Sequence, residues 1–451
     1  MKMVKSLLLG GAAGLVAMSG AQAADLPVKA KPVEYVKVCS VYGAGFYYIP
    51  GTDICLRVGG YTFIEAGYNM RTGDPLIFNY NLGTDMILSR EDNRTNWRAR
   101  GDVILDARMQ TRQGTLRTYI QAGWDYNNNP LGGVAGGNIT AGIDRAFTQW
   151  AGFTFGQIGS FFEFGGWYSI AVPASVAWNW NPAFAFTGTF GNGFSATLSI
   201  EDGQSHRAGL TSAAFFPGVA FVNTNGGQEW PNIVGNLRVD QAWGSAQISG
   251  LLQQLRMNTV LNLFGVADTW GGAILGAIEV KLPSVAPGDS FTLQGVWSDG
   301  APEATGLSSS PLGVANQIGL RNLFGIGPDT YLYDAFAFPF FGVQKTRAWS
   351  AFAQIRHFWT PNVRTSFWAG YNNLQPGGNE ALLPLAPDLR IWQVGASTWF
   401  TPVPTLDLSL DFMYTNLQTG ACAGHLLIIQ IFTCNQSNDI FSVWTRWRRN
   451  F

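Results

Sequence analysis

Between Thr95 and Met109 the chain alternates. Trp97, Ala99, Gly101, Val103, Leu105, Ala107 and Met109 form a set without charge, and Arg98, Arg100, Asp102, Ile104, Asp106 and Arg108 form a set that is almost all ionic. Successive side chains of a strand point to opposite faces, so the pattern predicts a strand with one apolar and one ionic face. Thr111-Arg112-Gln113-Gly114 turns the chain. Leu116, Thr118, Ile120, Ala122, Trp124 and Tyr126 then alternate with Arg117, Tyr119, Gln121, Gly123 and Asp125. Both runs exceed the roughly 5–6 residues of an ordinary strand. Runs of about 9–11 residues or more, apolar outside, polar inside and aromatic at the end, point to a membrane-spanning β-barrel rather than a soluble sandwich.

The same reading predicts sixteen strands. Strand one is Leu56–Tyr68, with Arg57, Tyr61, Phe63 and Glu65 inward. Strand four is expected over Ile143–Phe155, where poor alternation leaves the faces unassigned, and strand five over the short run Ser160–Phe164. Strands six and seven, Ala183–Phe190 and Phe194–Glu201, flank the turn Gly191-Asn192-Gly193. Strand eight, Asn232–Gln241, turns Arg238 and Asp240 inward. Ser245–Leu255, Trp270–Leu282, Ser290–Ser298, Ala348–Phe358, Val363–Tyr371 and Leu389–Phe400 continue the series. Leu406–Thr415 points Asp407, Ser409 and Asp411 inward, and Ile440–Phe451 is the last strand. Connections after odd strands are long, Asp299–Arg347 the longest, and those after even strands are short. Long outer loops over short periplasmic turns, with both ends of the chain inside, are the habit of outer-membrane barrels. The expected fold is therefore all-β, an antiparallel up-and-down transmembrane barrel of about sixteen strands forming one domain over residues 24–451.

Composition agrees. Charged residues are 13% of the chain, about half the usual share, while 17 Trp and 55 Gly suit aromatic belts and tight strands. A net charge of −1 gives nucleic acid no reason to bind. Residues 1–23 read as a signal peptide: Lys2 and Lys5, an apolar run from Leu7 to Ala17, then Ala21-Gln22-Ala23 as the cleavage site. Export makes disulfides feasible, and Cys39 with Cys55 and Cys422 with Cys434 is the simplest of three connectivities. The first pair would clip a segment over residues 33–55 on the periplasmic side. Neither pair has zinc-ligand spacing. Gly165–Phe186 is uncharged, but Pro173 and Pro182 break it as a helix.

Catalytic chemistry finds little support. The three histidines, His206, His357 and His425, single out no serine, and no helix follows Gly43-Ala44-Gly45 to make a phosphate loop. No metal or other cofactor is expected. The charges with a stated purpose are the inward ones. Arg57, Arg98, Arg100, Arg108 and Arg117 share one parity on three consecutive strands, relieved by Asp102, Asp106 and Asp125. They can form a basic wall that sets ion preference, pair with one another across strands, or do both.

Val33-Glu34-Tyr35-Val36-Lys37-Val38-Cys39, then Tyr42-Gly43-Ala44-Gly45, Tyr48-Ile49-Pro50-Gly51-Thr52 and Cys55-Leu56-Arg57-Val58-Gly59-Gly60-Tyr61, resemble the opening of the mature general diffusion porins of alphaproteobacteria, the rhizobial type. Gly191-Asn192-Gly193-Phe194-Ser195-Ala196 and Pro231-Asn232-Ile233-Val234-Gly235-Asn236-Leu237 also look like that family, as does the signal peptide. The aromatic end at Phe451 resembles the signal read by barrel-assembly machinery. The resemblance implies an outer-membrane homotrimer in a Gram-negative bacterium, passing ions and small hydrophilic solutes by passive diffusion. It also implies that the third outer loop, taken here as Gly165–Pro182, folds inward as a constriction. That loop is often acidic in relatives; here it has no Asp or Glu, and Trp167, Tyr168, Trp178 and Trp180 would make the constriction aromatic. Two further readings are a substrate-selective porin, for instance for sugars, and a plugged structural or adhesion barrel.

Overall fold

In a computed structural model of the chain, sixteen antiparallel strands close into one barrel. The structure describes residues 37–73, 95–127, 138–170, 172–203, 208, 210–212, 222–223, 225–263, 265–307, 332–338, 342–377, 388–420 and 437–451. The signal peptide, His206, His425, Cys422 and Cys434 lie outside these residues. The first eight strands are β1 (Cys55–Gly73), β2 (Thr95–Thr111), β3 (Gly114–Asn127), β4 (Asn138–Trp150), β5 (Phe153–Gly159), β6 (Trp180–Gly191), β7 (Phe194–Glu201) and β8 (Asn232–Gln241). The second eight are β9 (Gly244–Leu255), β10 (Thr269–Lys281), β11 (Ser290–Asp299), β12 (Arg347–Thr360), β13 (Val363–Gln375), β14 (Leu389–Val403), β15 (Leu406–Thr419) and β16 (Ser437–Asn450). Each pairs with its neighbours in sequence, and β1 pairs with both β2 and β16, which removes the free edges. Phe451 extends the closure: its N–H donates to Gly60 O at 3.0 Å and its own carbonyl accepts from Gly60 N at 3.1 Å.

Two expectations need correction. Ile143–Phe155 is not one strand. Ala151 and Gly152, with φ of 53° and 89°, turn the chain between β4 and β5. Ser160–Phe164 is therefore no strand but the start of the third outer loop, which runs over residues 160–179 rather than from Gly165 to Pro182. The faces of β4 resisted assignment because the strand carries a bulge: Gln121 pairs with Arg145 and Ala122 with Ile143, leaving Asp144 as the extra residue. The bulge resets the alternation, and Asp144 and Arg145 both turn inward.

The N-terminal segment is tied down as expected. Cys39 and Cys55 are bonded, and Phe46 lies buried beside them. Two of the long outer connections also hold unanticipated order. Leu210–Ser212, Val222–Asn223, Ala335–Phe338 and Gly342–Lys345 form a small four-stranded sheet.

Outward faces are apolar, with exposed Trp97, Val103, Trp124, Ile274, Trp297 and Phe412 among them. Residues buried in the interior divide by sector. Val172, Ala174 and Val176 of the third loop pack against Phe352, Trp368, Leu374, Ile391 and Met413 from β12–β15. Phe162 packs against Val234, Leu251, Leu275 and Val296 from β8–β11. Residues 301–307 of the next-but-two outer connection are all buried, and Asn372 donates to Thr305 O at 3.0 Å.

Candidate functional site

The third loop is irregular backbone at the depth of the barrel, so its N–H and C=O groups need partners there. The inner wall supplies them. Glu201 accepts from Phe161 N at 3.0 Å, Gln354 from Tyr168 N at 2.9 Å, Asp411 from Ile170 N at 2.6 Å and Gln393 from Ala174 N at 2.7 Å. In return Asn236 donates to Phe161 O, Gln247 to Glu163 O, Gln354 to Gly166 O, Arg446 to Ile170 O and Ser350 to Ser175 O. These partners come from β7–β9, β12 and β14–β16. The loop is thus held against a wide sector of the inner face, and β2–β4 supply none of these bonds.

On β1–β4 the inward faces carry the charges that the alternation predicted, and they are matched. Arg98 Nε donates to both oxygens of Asp125 at 2.8 and 2.9 Å. Arg100 bonds Asp102 at 2.8 Å and also Asp144. Asp106, fully buried, collects Arg108 at 2.7 Å and Arg117 at 3.1 Å, with Arg57 at 4.0 Å. Glu65, also buried, pairs with Arg446 at 2.6 Å. Arg57, Arg98, Arg100, Arg108 and Arg117 are therefore joined with Asp102, Asp106, Asp125 and Asp144 in an ion-pair network along and across the strands. Elsewhere Arg238 pairs with Asp240 at 2.8 Å, and Asp407 with Arg364 at 3.2 Å. Asp411 accepts from the third loop at Ile170 N.

The aromatic residues expected in the loop are brought together. Trp167, Trp178 and Trp180 meet edge to face, with ring centroids 5.2 and 5.9 Å apart. Tyr168 donates its hydroxyl to Glu279 at 2.8 Å, and Arg356 lies on its ring at 3.8 Å. The corrected loop contains one acid, Glu163. The acids in contact with the loop come mainly from the wall: Glu201, Glu279 and Asp411.

Several charged residues escaped the sequence reading. Arg356, Arg446 and Arg448 lie on the inward parity of β12 and β16, and the alternation rule applied there would have found them. Asp144 and Arg145 were hidden by the bulge. At the periplasmic rim, burial pushes the Asp289 carboxyl up. The bonds from His357 Nδ1 at 2.7 Å and Phe358 N at 2.8 Å outweigh it and hold Asp289 below the usual carboxylate range.

A family model described as Porin subfamily matches residues 25–440. The chain belongs to this porin family. Porin Omp2b of Brucella melitensis biotype 1 is 34% identical over 312 residues, covering 66% of this chain and 75% of the relative. Porin Omp2b of Brucella suis biovar 1 is 33% identical over the same shares. Among solved structures, the outer membrane channel DcaP of Acinetobacter baumannii superposes with a TM-score of 0.62 over 90% of this chain and 99% of that one. At 12% identity that likeness speaks for the barrel alone. This porin is accordingly an outer-membrane channel of a Gram-negative bacterium, through which ions and small hydrophilic solutes diffuse passively.

Proposed function

We propose that solutes cross this porin between the third loop and the charged wall of β1–β4 and β16, with the loop acting as the constriction. The observation that carries the reading is the loop's one-sided anchoring: its wall bonds come from β7–β12 and β14–β16. That leaves the arginine–aspartate faces of β2–β4 uncovered by those bonds. The pore-lining set is then Arg57, Glu65, Arg98, Arg100, Asp102, Asp106, Arg108, Arg117 and Asp125, with Arg238, Asp240 and Asp407 lining the mouth. Replacing Gly165–Trp178 by a short Gly/Ser link should raise single-channel conductance in a planar bilayer. Unchanged conductance would remove the loop from the path.

The sugar-selective reading draws less support. Trp167, Trp178 and Trp180 stack against one another, and one face of Trp180 is occupied by Arg145, 4.0 Å from the ring centroid. Stacking platforms for a pyranose need open faces.

The working unit in this reading is a homotrimer. β5 has seven residues and β7 eight, against fourteen to nineteen in β1–β3. At about 3.3 Å per residue, seven residues reach roughly 23 Å even untilted, short of an apolar band about 25 Å tall. Phe153, Phe155, Phe184 and Phe186 cluster on this outward sector. A neighbouring subunit suits such a wall better than lipid does. Current steps arriving in threes would support the trimer; single steps at every protein concentration would argue for a monomer.

A further inference from the structure

The third loop is held by the wall, and a second outer connection meets it. Residues 301–307, between β11 and β12, turn back into the barrel and are buried throughout. They hold their own shape. Pro302–Thr305 is a single 3-10 turn, closed by Ala304 N on Ala301 O at 3.1 Å, Gly306 N on Glu303 O at 3.0 Å and the Thr305 hydroxyl on Pro302 O at 2.7 Å. The barrel fixes this turn as well: Gly300 N donates to Thr346 O at 2.8 Å, and Asn372 of β13 donates to Thr305 O at 3.0 Å.

Apolar clusters join the turn to both arms of the third loop. Ala301 and Ala304 belong to the cluster of Phe162, where the loop begins. Leu307 belongs to that of Val172, Ala174 and Val176, where it returns. The tightest approach is at Gly306. Its φ of 99° is a left-handed value, and a Cβ there would stand 2.5 Å from both Ala174 O and Val176 N. Only the hydrogen of a glycine fits that gap. Strand β13 shows which way the contact acts. Gly370 makes room for the Ser175 side chain, and Asn372, which holds the turn, stands further toward the outer end of the same strand. The turn therefore lies on the outer side of the loop tip.

Further on, the same connection returns through Leu332, in the cluster of Leu307, and through Tyr333, whose hydroxyl donates to Gly377 O at 2.7 Å. Ala335–Phe338 then enters the small outer sheet. Loop tip, turn and outer sheet are thus joined. Gln393 and Ser350 tie the tip to the wall, at Ala174 N and Ser175 O. Against a movement toward the outer mouth, the turn is the barrier.

We propose that residues 301–307 are a strap that holds the third loop at its working position, with Gly306 as the positioning residue, so that the constriction is set by the connection between β11 and β12 as well as by the wall. The inference rests on the third loop being the constriction, as proposed above.

The test compares glycines in a planar bilayer. Gly306→Ala puts a methyl group against the loop backbone, so open-channel noise should rise several-fold and the distribution of conductance should broaden. Gly342→Ala, in the same connection, has a left-handed φ of 73° but nothing within 4 Å of the added carbon. It should match wild type. Asn372→Ala, which frees Thr305 O from the wall, should raise the noise in the same sense and decides the question alone if Gly306→Ala does not fold. In a protein whose Gly165–Trp178 is already replaced by a Gly/Ser link, Gly306→Ala meets no loop and should add nothing. Wild-type conductance and noise in folded Gly306→Ala, an equal effect of Gly342→Ala, or an undiminished effect of Gly306→Ala in the loop-replaced protein overturns the strap and leaves the constriction standing. Conductance unchanged by the loop replacement itself overturns both.

Discussion

The β1–β4 wall and the β8–β15 wall obey the same alternation and spend their inward faces differently. On β1–β4 most of the inward charges satisfy one another: Asp106 gathers Arg57, Arg108 and Arg117, and Asp125 takes Arg98. On β8–β15 they are mostly amides, hydroxyls and small apolar groups, and they satisfy a loop. Gln247, Gln354 and Gln393 bond its backbone, while Phe352, Trp368 and Met413 pack its side chains. The contrast teaches that an inward polar residue in a barrel has two uses. A charged one can be kept beside water if its neighbours on adjacent strands match it. A neutral amide, with a donor and an acceptor, suits irregular backbone brought in from elsewhere. The sector of a barrel that water fills can then be read from whether its inward residues are charges or amides.

The largest expected effect tests the faces themselves. Leu105 sits on the lipid side of the ionic wall, between inward Ile104 and Asp106. Leu105→Arg should cost about 2–4 kcal/mol if it lies near the midplane, measured by urea unfolding in lipid vesicles. Loss as large from Arg100→Gln would sink the face assignment.

The covered wall is tested next. Gln393→Ala removes the acceptor from Ala174 N, a buried group. Leaving such an N–H unmatched costs about 1–3 kcal/mol. The reversal potential should stay put while open-channel noise rises as the loop loosens. A quiet channel with a shifted reversal potential would invert the contrast.

On the ionic wall the expected response is electrical before it is structural. Asp106→Asn leaves Arg57, Arg108 and Arg117 without their shared carboxylate. All three guanidiniums are a quarter to a half exposed, so screening keeps the stability cost to about 1 kcal/mol. The reversal potential should move toward anions. No shift would mean that this network lies away from the ion path.

Most of the barrel was legible in the sequence because alternation of period two is a direct image of two solvents, lipid outside and water or protein inside. Strands Thr95–Thr111 and Leu406–Thr419 show it plainly. It failed at Ile143–Phe155 because a bulge at Asp144 reverses parity and a two-residue turn, Ala151-Gly152, carries no proline or asparagine to announce it. The loop start at Ser160 reads as a strand because Phe161, Phe162 and Phe164 are apolar for a different reason: they pack inside the barrel. The site was less legible than the fold. Parity shows that Arg98 faces inward but not that it meets a carboxylate, since that depends on register between strands, and the bulge hides the face of Arg145 altogether. Arg98 finds Asp125 one strand away, whereas Arg145 finds the ring of Trp180.

The smallest expected effect lies at the rim that both walls share. Asp289 accepts from His357 and Phe358 N, and its carboxyl is held below the usual range despite burial, with Arg356 also contributing. A carboxyl whose folded value is depressed stabilises the fold fully above its unfolded value, about 3.9. That contribution is lost as pH falls through the lower folded value. Wild type should therefore exceed Asp289→Asn in unfolding midpoint at neutral pH, and the gap should close below about pH 4. A gap constant across that range would mean that the asparagine loses packing or geometry rather than charge. Conductance should be the same in both proteins throughout, because Asp289 stands in the turn between β10 and β11, away from the β1–β4 wall.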